Sequence, residues 1–301
     1  DTISGGPMYY LRGAFDRLQQ PQMGRFMAGL FAVCCIGGTI GAGGLFQANQ
    51  AYQQALVVTG GETGFLADRG WLFGLFMAIL VGMVIIGGIQ WIAAVAGRIV
   101  PVMAIIYIIA GFVVIGVHYA AIPDALRTIF EMTLYPQAGI GALMGALLMG
   151  VQRATFSNEA GLGSSAIAHS AVKTDVPVSQ GMVAMLGPFI DTVVVCMVTA
   201  LVIVISGTYV EGGGIEGVQL ASRAFASGIS WFPYVLSLTV FLFAYSTMIS
   251  WSYYGLICTT YLFGERLVIT GLYKILFCAF IIIGASAQLS NIILFTDSMV
   301  F

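Results

Sequence analysis

"RATFSNEAGLG" (Arg153–Gly163) interrupts an apolar stretch where a continuous membrane-spanning helix is expected. The 21 residues before it, Met132–Gln152, carry no charge, and the residues after Gly163 are mostly small or apolar. Non-helical backbone at membrane depth is tolerated only where protein or a water-filled cavity satisfies its polar groups. The stretch therefore predicts a helix that is broken inside the membrane and that lines a cavity.

Composition indicates a membrane protein of the all-α polytopic class. Only 8% of the 301 residues are charged, whereas a soluble domain carries about 25%. A net charge of −2, without a basic patch, argues against a nucleic-acid partner. A helix needs roughly 20 apolar residues to cross a bilayer, and every one of the following charge-free runs is longer: Phe26–Gly61, Gly70–Gly97, Ile99–Pro123, Met132–Gln152, Ala224–Gly264 and Ile275–Thr296.

About seven spans are predicted, and an eighth begins near Asn291. They cover residues 25–48, 71–94, 98–119, 138–169 (interrupted), 179–208, 231–262 and 268–289. Lysine and arginine are enriched on the cytoplasmic side of membranes. With a cytoplasmic N-terminus, seven basic residues lie inside (Arg12, Arg17, Arg25, Arg98, Lys173, Arg266 and Lys274) and three outside (Arg69, Arg127 and Arg223). The interrupted helix then runs from outside to inside.

The segments around the spans carry further expectations. The first residues, "DTISGGPMYY", are predicted to form a loop. The lack of an initiator Met and the apolar C-terminal end indicate that the chain is a fragment. Ile122–Leu134 repeats apolar residues at helical spacing, which is typical of an amphipathic helix on the membrane surface. "VEGGGIEGVQLASRAF" (Val210–Phe225) predicts a glycine-rich hinge followed by a helix.

Two further features concern the interior of the bundle. The small residues of "GGTIGAGG" (Gly37–Gly44) favour close helix packing, so this helix is expected to be central. Pro101 and Pro188 each lie within a predicted span, where a proline frees a backbone carbonyl.

Four blocks carry a family resemblance. "FSNEAGLGSSAIAHSA" (Phe156–Ala171) resembles the central signature of the alanine/glycine:cation symporter family. "GGPMYYL" (Gly5–Leu11), "FIDTVVVC" (Phe189–Cys196) and "STMISWSYYG" (Ser246–Gly255) are similar to other family blocks in the same order. The similarity extends over nearly the whole chain.

The resemblance implies a leucine-transporter-like fold of two inverted five-helix repeats. The seven spans then correspond to family helices three to nine, with the start of the tenth, and residues 1–301 form a single incomplete transmembrane transporter domain. On this correspondence, the first two family helices would lie outside this chain. The first of them supplies half of the substrate and sodium site in this fold.

The unwound stretch is expected to contact the substrate through Thr155, Phe156, Ser157, Asn158 and Gly161. Free carbonyls at Thr155–Ser157 suit the ammonium group of an amino acid. Phe156 is read as a wall or lid, with ordinary lipid or core contact as the alternative. Ser157 and Asn158 are expected to cap the second half-helix.

Other residues of the break have conformational and structural roles in this interpretation. Gly161 and Gly163 supply conformational freedom. Glu159 would repel a substrate carboxylate, so it is expected to pair with loose amides or with Arg153 and to keep the break open.

The helix that contains Ser246–Gly255 offers a second cluster. Thr247, Ser250, Trp251 and Tyr254 are spaced i, i+3, i+4 and i+7, which places them on one face. Hydroxyl oxygens are hard ligands that suit a small cation, and the resemblance assigns Ser246 and Thr247 as Na⁺ ligands, with Thr247 also touching substrate. The alternative for both hydroxyls is a bond to their own helix. Trp251 would shape the pocket, with interfacial anchoring as its alternative.

Helix "FQANQAYQQ" (Phe46–Gln54) carries a stripe of amides at Gln47, Gln50 and Gln54. Asn49 points about 200° away from Gln47 on an ideal helix, so only one of these two can meet a given ligand. Gln47 is the first choice for the substrate and Asn49 the second. Alternatively, residues after Gln50 lie outside the bilayer and are simply solvated.

Asp191 is expected in the middle of a span, where an unpaired carboxylate costs several kcal/mol. It is read as a structural or coupling residue together with Arg153 and Glu159. A cation ligand, a proton carrier and a neutral hydrogen-bonding acid all remain open for this side chain.

The overall expectation is Na⁺-coupled symport, rather than H⁺-coupled, of a small neutral amino acid such as alanine or glycine. The protein would cross a prokaryotic inner membrane several times, work by alternating access and need no organic cofactor. Its oligomeric state is left open.

Two other classes compete with this interpretation. An intramembrane serine protease would use Ser164 or Ser165 with His118 or His169, but nothing supplies an oxyanion site. A channel or structural subunit would need a continuous polar stripe or a charged ring, and only isolated polar clusters are present.

Overall fold

The computed structural model describes residues 5–134, 140–210 and 217–300, and over these ranges it is helical without any β-strand. The helices are α1 Pro7–Arg17, α2 Pro21–Val58, α3 Gly70–Ile86, α4 Gly88–Val117, α5 Ile122–Leu134, α6 Ile140–Ser157, α7 Glu159–Leu162, α8 Ser165–His169, α9 Pro177–Ser206, α10 Val218–Ala226, α11 Phe232–Phe263, α12 Leu267–Ser286 and α13 Leu289–Val300. Short 3₁₀ turns lie at Gly61–Thr63 and Tyr119–Ala121.

Five of these helices are long and apolar enough to cross a membrane: α2, α4, α9, α11 and α12. Helix α3 is apolar but has only 17 residues. The all-α polytopic class predicted from the sequence is therefore confirmed, whereas the inverted-repeat fold and the number of spans stay predictions.

The boundary between the second and third predicted spans is wrong by about ten residues. The helices part at Gly87–Gly88, where Gly88 has φ +73°, instead of between residues 94 and 98. Such a φ is accessible to glycine at no steric cost. As a result Arg98 lies within α4 and not in a connecting loop.

The predicted N-terminal loop is also wrong from Pro7 onward. Pro7 opens α1, because its fixed φ suits the first turn of a helix and its missing N–H would have no partner there. Helix α1 packs on α2 where Gly24 faces Phe15, and a Cβ on Gly24 would lie 2.8 Å from the Phe15 Cβ. Residues 1–4 are outside the described part of the chain.

The central position expected for the glycine-rich helix is confirmed. Residues Thr39–Phe46 form a π-helical segment inside α2, and six of its eight residues are buried. A Cβ on Gly43 would lie 2.5 Å from the Trp251 Cβ, and one on Gly41 would lie 3.0 Å from the Thr296 Oγ1. The missing side chains therefore let α11 and α13 approach the α2 backbone directly.

Two amphipathic or connecting elements agree with the sequence. The helix predicted at Ile122–Leu134 is α5, with the same bounds, while its position on the membrane surface stays a prediction. Helix α10 follows the glycine-rich connection as expected, while residues 211–216 of that connection lie outside the described part. Pro101 and Pro188 both lie inside helices.

Helix α11 holds the bundle together. Its side chains contribute to all three buried apolar clusters, through Met248 and Ile249 in the first, Trp251 in the second and Leu236 in the third. The first cluster joins α2, α3, α4, α11 and α12, and the third joins α4, α9, α10 and α11. The side chains of α11 that contact the broken helix are therefore fixed in position by close packing in the core.

Candidate functional site at the broken helix

The helix break predicted between Arg153 and Gly163 is present. Helix α6 ends at Ser157, Asn158 is non-helical, and a turn at Gly163–Ser164 separates the four-residue α7 from α8. Gly163 adopts φ +78°, which favours glycine. Gly161 lies within α7 and is not among the positive-φ glycines, so the conformational role predicted for it is wrong.

A short hydrogen bond ties the end of α6 to α9. The Ser157 Oγ donates to the Asp191 Oδ2 at 2.5 Å and lies 3.6 Å from the Cys196 Sγ. The Ser157 hydroxyl thus binds α9. The sequence had instead predicted that it would cap the half-helix after the break. Asp191 and Cys196 belong to a π-helical segment, Phe189–Cys196, that begins directly after Pro188. Such segments are frequent at functional sites.

Glu159 joins the far side of the break to α11. Its carboxyl group is partly buried and hydrogen-bonded by the Tyr254 hydroxyl and the Trp251 indole. Arg153, offered as one partner for Glu159, instead places its Nη2 2.7 Å from the Asp297 Oδ2 of α13. The second Asp297 oxygen is buried and has no hydrogen-bond partner in the described part of the chain.

The break lines a cavity of about 270 Å³. Its walls come from the break itself (Ser157, Asn158 and Glu159), from α8 and α9, and from Tyr254 of α11. Two carboxyl groups, Glu159 and Asp191, border this space. Since one water occupies about 30 Å³ in the liquid, the cavity has room for a hydrated ion or a small amino acid.

The hydroxyl groups of α11 occupy different environments. The Ser246 Oγ is buried and donates to the Phe243 carbonyl at 3.0 Å, which is the self-bonded alternative. Thr247 is partly exposed, and its hydroxyl has no hydrogen-bond partner among the described residues. Thr247 therefore keeps an oxygen available to a ligand.

Trp251 is buried against Gly43 and lines a second cavity of about 110 Å³ with Ser164 and Leu162. Interfacial anchoring, the alternative for Trp251, does not fit this position. The indole is part of the interior between α2, α11 and the segment after the break.

The four amides of α2 singled out from the sequence separate into one more accessible side chain, Gln47, and three structural ones. Gln47 is partly buried and donates to the Ala42 carbonyl at 3.2 Å. Asn49 is fully buried and donates to the carbonyls of Gly284 and Ala287 at 3.2 and 2.8 Å. Both of its amide hydrogens are used at the end of α12, so this structure favours the first choice, Gln47, and Asn49 as a substrate ligand stays a prediction.

The solvated alternative for the later glutamines is wrong as well. Gln54 has no exposed surface and donates to the Ser222 Oγ at 3.1 Å, and Gln50 accepts a hydrogen bond from the Val218 N–H at 3.0 Å. Both amides bind α2 to the start of α10.

The structure therefore brings together only some of the predicted site residues. Ser157, Asn158, Glu159 and Asp191 share the break cavity, whereas Gln47, Ser246 and Thr247 do not line it. The side chains of Thr155 and Phe156 lie outside the described part. Sequence reasoning missed Asp297 as the partner of Arg153; an acid at the end of an apolar run was the available signal.

The protease alternative finds no support in the geometry. The His169 Nδ1 lies 2.6 Å from the Gln180 Nε2, and the His118 Nδ1 lies 3.0 Å from the carbonyl of Val114. The Ser164 Oγ donates to the Glu159 carbonyl. Within the described ranges no serine is hydrogen-bonded to a histidine, so a nucleophile–base pair is not formed.

Comparison with known proteins gives a consistent result. The profile of the sodium:alanine symporter family matches residues 1–301. The chain is 37% identical over 248 residues to the sodium/alanine symporter AgcS of Methanococcus maripaludis, covering 81% of this chain and 52% of that protein.

Two relatives from Bacillus subtilis are also similar. The probable sodium/glutamine symporter GlnT is 35% identical over 80% of this chain and 48% of its own length. The amino-acid carrier protein AlsT is 31% identical over 82% of this chain and 50% of its own length. The chain spans about half the length of the curated relatives it matches.

Proposed function

The chain belongs to the sodium:alanine symporter family, a family of transporters and not of enzymes, and from this premise we propose that it forms the solute-binding part of a Na⁺-coupled amino-acid symporter. The substrate is a small neutral amino acid, alanine or glycine, and no organic cofactor takes part. The protein works in a prokaryotic inner membrane by alternating access. Residues 1–301 contribute one incomplete transporter domain.

The observation that carries this proposal is the cavity at the break between α6 and α8. The last carbonyls of α6 have no intrahelical partner and carry the negative end of the helix dipole, which favours a substrate ammonium group. Thr155, Phe156 and Ser157 are the last residues of α6 and Asn158 follows them, and Ser157 and Asn158 line the cavity. The volume of this cavity, about 270 Å³, favours a solute with a small side chain, and Trp251 borders the neighbouring cavity of about 110 Å³.

The sodium ligands proposed on α11 are Ser246 and Thr247. Thr247 is the better candidate because its hydroxyl is unpaired in the described part of the chain, whereas Ser246 must give up its bond to Phe243 to bind an ion. Gln47 of α2 is the proposed amide contact to the substrate. Asp191 remains open as an ion ligand or a neutral hydrogen-bonding acid.

The ion pair of Arg153 and Asp297 connects α6 to α13 in this proposal. Their ion pair joins the half-helix before the break to α13, which packs on the π-helical segment of α2. Alternating access requires the broken helix to move relative to its neighbours. We place this ion pair among the contacts that form in one state and break in the other.

The experiment is uptake by the full natural protein in proteoliposomes. Labelled alanine is offered with an inward sodium gradient, with choline in place of sodium, and with a proton gradient alone. We expect uptake only with sodium, and competition by glycine but not by lysine or glutamate. Equal uptake with choline would contradict sodium coupling, and equal competition by glutamine would contradict the small-substrate assignment.

A further inference from the structure

Helices α3 and α12 form a groove that is separate from the cavity at the helix break. The two helices are antiparallel and touch tightly at one end, where a Cβ on Gly74 would lie 2.7 Å from the Ile282 Cα. They separate toward the other end: a Cβ on Gly82 would be 3.7 Å from the Cys278 Sγ, and one on Gly271 would have no neighbour within 4 Å. This divergence opens a groove of about 540 Å³.

The lining of the groove is apolar except at its open end. Leu75, Ile79 and Ile86 of α3 face Ile275 and Ile282 of α12 across it. From residue 274 to residue 282 the groove follows α12 for about 12 Å. Its shape and surface suit a hydrocarbon chain lying along the two helices.

Lys274 supplies the one charge of the lining. It is partly exposed, and the ion pairs of the described chain are Arg127–Glu131 and Arg153–Asp297, so none of them involves Lys274. A lysine this close to a helix start extends its amine to the membrane interface. Arg266 precedes the same helix directly after Glu265, so these two charges offset each other and the charge of the groove comes from Lys274.

We propose that the groove binds an anionic phospholipid, with the phosphate on Lys274 and one acyl chain between α3 and α12. The apolar walls account for the chain and the unpaired amine accounts for the charge of the headgroup. The bound lipid would lie in the cytoplasmic leaflet, given the charge bias of the connecting segments. A lipid here reaches the transport core through α12, because Gly284 packs on the Leu45 backbone of the π-helical segment.

The test uses the full natural protein in detergent, with phosphatidylglycerol, phosphatidylcholine and inorganic phosphate as separate probes. Native mass spectrometry counts bound lipid, and the melting temperature reports its effect. We expect retention of phosphatidylglycerol, five- to tenfold weaker binding in Lys274→Gln, and no change in the control Lys173→Gln, whose lysine is exposed outside the groove.

Gly271→Leu fills the groove and leaves the lysine in place, so it should also lose the lipid, while Gly271→Ala should keep it. The comparison of these two variants tests lipid binding in the groove even if Lys274→Gln folds poorly. Equal retention of phosphatidylcholine, full stabilisation by phosphate alone, or normal binding in Gly271→Leu would overturn the proposal. A dimer that Gly271→Leu separates would assign the groove to a second copy and overturn it equally.

Discussion

Glu159 is the residue that connects the helix break to the packed scaffold. Its carboxyl group accepts hydrogen bonds from Trp251 and Tyr254, which α11 holds in buried positions. Hydrogen bonds to a charged acceptor contribute about 1.5–3 kcal/mol each. This side chain therefore links α7 to α11.

Glu159→Gln is expected to lower thermal stability and uptake. The amide oxygen is a weaker hydrogen-bond acceptor than the carboxylate, and the amide N–H group would face the Tyr254 hydroxyl and the Trp251 indole N–H, which are themselves donors. The measurement is a double-mutant cycle with Tyr254→Phe on the melting temperature and on alanine uptake. Coupling of about 1–2 kcal/mol is expected. Additive effects of the two changes would show that the two side chains act independently and would reject the link.

Thr247→Ala is expected to raise the half-saturating sodium concentration for uptake by roughly tenfold, equivalent to about 1.4 kcal/mol. The physical reason is the loss of one hard oxygen ligand. Thr260→Ala is the matched control, because the Thr260 Oγ1 donates to the Ile257 carbonyl of its own helix at 3.0 Å. Unchanged sodium dependence in Thr247→Ala removes this residue from the ion site.

At the scale of elements, the turn after the helix break requires a glycine at position 163, because the backbone there has a positive φ. Gly163 has φ +78° between α7 and α8, and a Cβ there would also lie 3.2 Å from the Pro7 Cγ. The turn is therefore held by a backbone conformation that other residues adopt at a cost of about 1–2 kcal/mol.

Gly163→Ala should reduce both the melting temperature and uptake for this reason. Gly181→Ala is the control: it lies inside α9 with no atom within 4 Å of the added methyl. In a helix interior alanine is favoured over glycine by about 0.5–1 kcal/mol, so this variant should be as stable as the native protein or more. An equally stable Gly163→Ala would mean that the turn tolerates a side chain.

The interhelical ion pair of Arg153 and Asp297 gives a second prediction at this scale. Asp297→Asn removes the charged partner that links the Arg153 guanidinium of α6 to α13, and because the proposal makes this link part of the transport cycle we expect uptake to fall at least tenfold. The exchange Arg153→Asp with Asp297→Arg should restore part of it.

Arg127→Gln is the comparison, since the Arg127–Glu131 pair is exposed on α5 and such pairs contribute only about 0–1 kcal/mol. Asp297→Asn with native uptake, or a charge exchange without any recovery, would contradict the link.

The positions of most helices and of the break could be predicted, because the length of an uncharged apolar run and the polar residues that interrupt one are properties of the local sequence. The site was less predictable because partners come from distant segments. Gln54 is buried only because Ser222 and Pro233 lie next to it, and no local pattern shows that. Asp297 lies 144 positions after Arg153 on a different helix, and no local pattern pairs them.

At the scale of the whole molecule, the chain is a helical bundle built around α2 and α11, with one cavity at the helix break and an apolar groove between α3 and α12. It covers about half the length of its relatives. The family assignment accounts for the transporter class, and the break cavity is the part of the chain where the proposal puts the solute.

The most direct test of that claim is the accessibility of the break itself. Ser157 is exposed at the cavity, so a Ser157→Cys variant of the full natural protein can be labelled with a thiol reagent, with the unsubstituted protein giving the background from native cysteines. Alanine with sodium should slow the labelling at least fivefold, and choline should abolish this protection. A labelling rate that neither alanine nor sodium changes would place the solute elsewhere and contradict the account.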